Sequence, residues 1–234
     1  MFLFTPVLIA AAVIPAVMLL NYIRRMDRLE SEPPALIRRL VMNGLIATFL
    51  AGAAEMAGST VLGVLLPNST LIHDFLMYFV VVALSEEGFK YLLMKKSTWN
   101  SPEFNCMFDG VVYGVTVALG FAVFENIGYV LQFGLMTALV RAVTAIPGHA
   151  SFGVFMGAMY GAAKRASIRG DEFASAKLRK QALVIPVLLH GFYDFVATGQ
   201  NEICMIIFLV FIVVLFKKAK KMVQTLSAVD EYFG

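Results

Sequence analysis

The chain has 234 residues, of which 59% are hydrophobic and 15% charged, and its mean hydropathy is +0.78. Soluble domains carry about 45–50% apolar and about 25% charged residues. This composition therefore excludes an ordinary water-soluble enzyme, and with it a disordered chain, a collagen or a disulfide scaffold. The net charge of +3 calls for anionic lipid headgroups, not nucleic acid.

Crossing about 30 Å of hydrocarbon takes about 20 mostly apolar residues. Taken in chain order, the sequence predicts seven helical spans, at about 2–22, 40–66, 75–94, 109–132, 138–163, 181–199 and 202–216. The first lacks a basic leader. It runs into Asn21-Tyr22-Ile23-Arg24-Arg25 with no small-residue cleavage site, so it reads as a retained anchor. Pro33-Pro34 breaks the loop that follows and suits the start of the second helix. Pro147-Gly148 interrupts the fifth span, leaving residues 137–146 either spanning or re-entrant. Gly170-Asp171 is expected to start a helix that continues into the sixth span.

The basic residues test this map. Loops 23–39, 95–108 and 164–180 and the tail beyond residue 216 hold 17 of the 19 Lys and Arg. Loops 67–74, 133–137 and 200–201 hold none, and Lys90 and Arg141 fall inside spans. By the positive-inside rule the N-terminus is outside and the C-terminus cytoplasmic. The expected fold is an all-α, polytopic transmembrane bundle forming a single integral membrane domain over residues 1–234. Cys106 and Cys204 fall near opposite faces, so no disulfide is expected. Trp99 and Tyr91 are expected in an interfacial aromatic belt.

Charges at membrane depth cost at least a few kcal/mol each, and the spans hold many. They are Glu55 in the second span, Glu86, Glu87 and Lys90 in the third, Glu125 in the fourth, Arg141 and His149 in the fifth, and His190 and Asp194 in the sixth. Five acids against two permanent bases need relief from protons, charged histidines or a bound cation. Lys90 stands four residues after Glu86 and three after Glu87, so both pairings fit one helix face. Two adjacent carboxyls resist double ionisation and offer a base and an acid together.

Asp194, four residues after His190, is placed to hold the ring of His190, and Pro186 is expected to kink that helix. Gly153, Gly157 and Gly161 form a close-packing stripe whose face includes His149. Glu125 reads as a second acid or base, a metal ligand, or a carboxylate held by Asn126. Glu55 is expected to pair with Arg141 or Lys90. A proton- or cation-coupled transporter would draw on the same carboxylates, but no paired halves are visible.

Four motifs in order, Glu86-Glu87-Gly88-Phe89-Lys90, Phe121-Ala122-Val123-Phe124-Glu125-Asn126, Pro147-Gly148-His149-Ala150 and His190-Gly191-Phe192-Tyr193-Asp194, resemble those of the PrsW family of intramembrane proteases. Glu32-Pro33 resembles that family's acidic–proline loop. The resemblance covers residues 20–200 or so. It implies a multi-pass protease of the bacterial cytoplasmic membrane that cleaves membrane-anchored regulatory proteins such as anti-sigma factors. It also implies that the paired glutamates and the histidines carry the chemistry.

On this basis Glu86 or Glu87 is expected to activate a water, with the other glutamate, tuned by Lys90, handling protons. His149 and His190 would stabilise the oxyanion or bind a metal, Asp194 would orient His190, and Glu125 would complete the polar site, with Asn126 and Arg141 as further supporting residues. No cofactor is favoured. A zinc-class divalent metal held by His149, His190 and Glu125 is the alternative, weighed against the lack of a His-Glu-x-x-His segment.

Overall fold

The computed structural model describes residues 5–66 and 70–233. These form α-helices and, among the described residues, no strand beyond one isolated bridge between Cys106 and Tyr232. α1 spans Thr5–Met26, and α2 spans Pro34–Leu65. Pro34 opens α2 at a first-turn position, where a missing N–H breaks no helical bond. α3 (Leu71–Leu76), a π-helical segment (Met77–Ala83) and α4 (Leu84–Thr98) then form one unbroken rod. Further along come α5 (Met107–Phe133), α6 (Leu135–Val143), α7 (Ala145–Ile168), α8 (Glu172–Ala197) and α9 (Glu202–Ala228).

α1, α2, α5 and the α6–α7 pair are long and apolar enough to cross a membrane by length and composition. α1 and α2 leave large apolar side chains such as Met18, Phe49 and Val64 exposed, as lipid-facing helices do. α5 is instead buried over most of its length and packs most extensively against α7, then α2 and α1. The reason is backbone proximity. A β-carbon at Gly110 would lie 2.5 Å from the carbonyl oxygen of Gly157, so the helices touch main chain to main chain. The stripe at Gly153, Gly157 and Gly161 thus meets Gly110 and Gly114 of α5.

Several expectations are corrected. The stretch expected to be the fifth span is two helices, α6 and α7, broken at Thr144. Pro147-Gly148, which in sequence could break or start a helix, lies in the first turn of α7, where Pro is tolerated. Tyr91 is buried edge-on against Tyr160, and Trp99 packs on Tyr160 and Phe104, so neither forms an exposed belt. The π-helical turn at Met77–Ala83, in the stretch expected to be the third span and shortly before Glu86, was not anticipated. α8 starts as expected, with Asp171 capping it by accepting from the Ala174 N–H at 2.9 Å, and it runs on through Pro186.

The α5–α7 contact carries a stability prediction. Gly157→Leu is expected to destabilise the fold by about 1–3 kcal/mol or more through overpacking. Gly52→Ala, where the added carbon meets nothing within 4 Å, should be neutral or gain about 0.5–1 kcal/mol from helix propensity. Thermal unfolding of the detergent-solubilised protein checks both.

Candidate active site

Glu86, Glu87 and Lys90 occupy the first two turns of α4 and share one buried face. The Lys90 Nζ donates to Glu86 Oε2 at 3.0 Å and to Glu87 Oε1 at 2.8 Å. It lies 3.3 Å from Nδ1 of His149 on α7. An ammonium has three N–H donors, and these three acceptors use all of them. The Phe121 ring of α5 covers the same ammonium, its centroid 3.8 Å away.

With Nδ1 accepting from Lys90, the network assigns the His149 proton to Nε2, which faces Glu125 Oε2 on α5 at 2.9 Å. Arg141, on the short α6, pairs with the same oxygen, its Nη2 2.8 Å from Oε2. Its Nε donates to Asn126 Oδ1, and its guanidinium stacks over Tyr129 at 3.8 Å. His190 of α8 has Nδ1 3.0 Å from Glu87 Oε1 and Nε2 3.3 Å from Asp194 Oδ2. Both ring nitrogens face carboxylates, so satisfying both takes a proton on each nitrogen or one on a carboxyl. Phe152 stacks on the His190 ring, with centroids 4.9 Å apart, and fixes its plane.

A cavity of about 220 Å³ opens onto Glu86, Glu125, His149, His190 and Asp194, with Glu55 and Arg141 on its rim. That is room for several waters at about 30 Å³ each. Glu87 and Lys90, both fully buried, stand behind this wall. One carboxylate oxygen of Glu87, Oε2, has no hydrogen-bond partner.

The structure brings together Glu86, Glu87, Lys90, His149, His190, Asp194, Glu125, Asn126 and Arg141. Glu55 pairs with neither Lys90 nor Arg141, which are taken up by the other three glutamates. Asn126 holds Arg141 instead of Glu125. Donor atoms of Glu86, Glu87, His149 and His190 lie within 4.8 Å of one another, a group that could hold a metal ion. Glu125 falls outside that group and bonds Nε2 of His149.

Sequence reasoning passed over Tyr129 and Phe152. Tyr129 comes four residues after Glu125 and Phe152 three after His149, the spacing of helical neighbours, so a face-by-face reading could have found them.

A sequence profile described as PrsW family intramembrane metalloprotease matches residues 32–217. The chain is 32% identical over 195 residues to Protease PrsW of Bacillus subtilis, covering 83% of this chain and 84% of that protein. Protease PrsW of Geobacillus kaustophilus is also 32% identical, with 83% of this chain and 81% of the relative covered. Protease PrsW of Halalkalibacterium halodurans is 30% identical over 224 residues, with 95% and 98% covered. No solved structure matches.

Removing Lys90 would leave two buried carboxylates without their cation. Lys90→Met is expected to destabilise the protein by about 3–5 kcal/mol. Adding Glu86→Gln to Lys90→Met should recover part of that loss. Unfolding curves of the single and double variants in detergent measure both.

Proposed function

The chain belongs to the PrsW family of intramembrane proteases, and from that premise we propose that it hydrolyses peptide bonds of membrane-anchored regulatory proteins, of the anti-sigma-factor kind, using a water activated by Glu86. The observation behind this is that Glu86, His149 and His190 line a water-sized cavity inside a helical bundle, while Glu87 and Lys90 are set behind them. Peptide hydrolysis within a bilayer needs such an enclosed hydrated space.

In this scheme Glu86 takes the proton of the water as it attacks the scissile carbonyl, and later delivers it to the leaving amine. His149 and His190 are the ring donors on the cavity wall, and to meet the developing oxyanion each gives up a carboxylate partner, Glu125 for His149 and Glu87 or Asp194 for His190. Glu87 and Asp194 hold the His190 ring between them. Lys90 keeps Glu86 pointed at the cavity. Arg141 fixes Glu125, which in turn fixes His149. Seven spans, an outside N-terminus and a cytoplasmic C-terminus in a bacterial cytoplasmic membrane complete the proposal, supported by the gathering of 17 of 19 basic residues in alternate loops.

A metal-assisted variant is favoured by one specific observation, the convergence of two imidazoles and two carboxylates within 4.8 Å. That donor set fits a zinc-class ion, which Glu86, Glu87, His149 and His190 would hold. Such an ion would polarise the carbonyl and acidify a bound water.

Co-expression with candidate single-span substrates tests the assignment. Glu86→Gln is expected to reduce cleavage by about 10²–10⁴-fold, the usual contribution of a general base, and His190→Ala should also abolish turnover. Normal cleavage by both variants would sink the assignment, and proton-driven flux without any cleavage would make the protein a transporter. Metal analysis of the purified protein separates the two mechanisms: stoichiometric zinc, with cleavage lost to a chelator, establishes the metal-assisted one.

A further inference from the structure

A second set of carboxylates gathers at the other end of α5 from Glu125. It comes from the loop between α1 and α2 (Asp27, Glu30, Glu32), the segment before α5 (Glu103), the first turn of α5 (Asp109) and the residues after α9 (Asp230). Hydrogen bonds tie these segments together. Asn105 Nδ2 donates to Glu30 Oε1 at 2.5 Å, and Phe233 N donates to the Asn105 carbonyl at 2.8 Å. The N–H groups of Asn105 and Cys106 both donate to Asp109 Oδ2, and Phe108 N donates to Asp230 Oδ1.

The remaining carboxylate oxygens have no such partners. Glu32 is 3% exposed and Asp109 fully buried. Both oxygens of Glu32, Oδ1 of Asp109, Oδ1 of Asp27 and Oδ2 of Asp230 accept no hydrogen bond. The Tyr113 hydroxyl lies within hydrogen-bonding reach of Glu32, but its proton is directed at the Glu103 carbonyl, 3.1 Å away. None of these carboxylates forms an ion pair with Lys or Arg among the described residues. Arg24 lies within Coulombic reach of Asp27, while the charges acting most strongly on Glu32 are Asp27, Glu103 and Glu30, all acidic. Burial and these neighbours push Glu32 up to about 7, and burial with Asp230 and Glu30 pushes Asp27 up to about 6.

Buried, unpaired and mutually repelling oxygens are costly unless a positive partner arrives. We propose that this cluster binds a hard divalent cation of the Ca²⁺ or Mg²⁺ class, which locks the 27–33 loop and the 229–233 segment onto the start of α5. The donors are oxygens without imidazole, which selects hard ions over zinc or copper. Burial and the surrounding carboxylates push the Cys106 thiol up, so it offers no thiolate. Among the described residues only the buried centre brings three or more such donor residues within 4.8 Å of one another, so here the ion would touch one or two carboxylates directly and keep most of its water, as Mg²⁺ does. The site is separate from the catalytic proposal and does not rest on it.

The test uses full-length protein in detergent, stripped with EDTA and titrated at pH 7.5 with Ca²⁺ or Mg²⁺ alone by calorimetry and thermal unfolding. One ion per chain and a Tm rise of roughly 5 °C are expected. Glu32→Gln, which keeps the shape and removes the charge, should weaken binding about tenfold or more and match or exceed wild-type Tm in EDTA. Asp27→Asn should weaken binding in the same direction. Glu87→Gln should bind the ion as wild type does. No stoichiometric binding, equal binding by Glu32→Gln, or loss of binding in Glu87→Gln would overturn the proposal. So would a wild-type Tm that ignores both ions and only falls as pH rises from 5 to 8, because a raised carboxyl pKa stabilises the fold at low pH and loses that effect as it ionises.

Discussion

The Lys90 ammonium is buried out of contact with solvent, and a lysine is tolerated there only when its charge and all three of its protons are met. Two acceptors come from its own helix and the third from α7. Each of these groups is then committed to a partner elsewhere. Glu87 reaches His190 on α8, and His149 reaches Glu125 on α5, which Arg141 of α6 secures. Five helices are therefore joined by a continuous polar network. Where water does not compete, such bonds are electrostatically strong and leave little freedom of orientation.

That network needs a scaffold that brings the helices to fixed distances. The α5–α7 contact, main chain against main chain through glycine, sets Glu125 and His149 within hydrogen-bond reach. On the other side, Gly191 lets α8 approach the π-helical segment so closely that an added β-carbon would sit 2.5 Å from the Phe79 ring. This contact adjoins His190, and the π turn ends just before Glu86 and Glu87. A π turn shifts the angular register of whatever follows it. The direction in which the two glutamates point is thus coupled to how α8 packs.

Much of the site was legible in the sequence because its pairs are local. Glu86, Glu87 and Lys90, and likewise His190 and Asp194, meet at three- or four-residue spacing, which a helix dictates. The helical bundle was legible from apolar runs and the glycine stripe. The pairing of Glu125 with Arg141 was not, because it joins residues 16 apart across the break at Thr144, and nothing local assigns Arg141 to that carboxylate instead of Glu55. The π turn was hidden for a different reason. Met77–Ala83 is uniformly apolar, with no glycine or proline to mark irregular backbone. Asn126 misled because adjacency in sequence is not adjacency on a helix.

Lys90 also bears on the choice between the two mechanisms. Its three acceptors, Glu86, Glu87 and His149, are three of the four residues that could hold a metal. A divalent ion and the ammonium would therefore draw on the same three side chains, of which Glu87 still has a free oxygen, Oε2. An ion that took the atoms now bonded to Lys90 would require Lys90 to swing away or give up its proton, and either change would release Glu86 from its present hold. Metal binding at this centre is in consequence linked to the state of Lys90. In the metal-free mechanism the same lysine is what keeps two adjacent glutamates buried side by side.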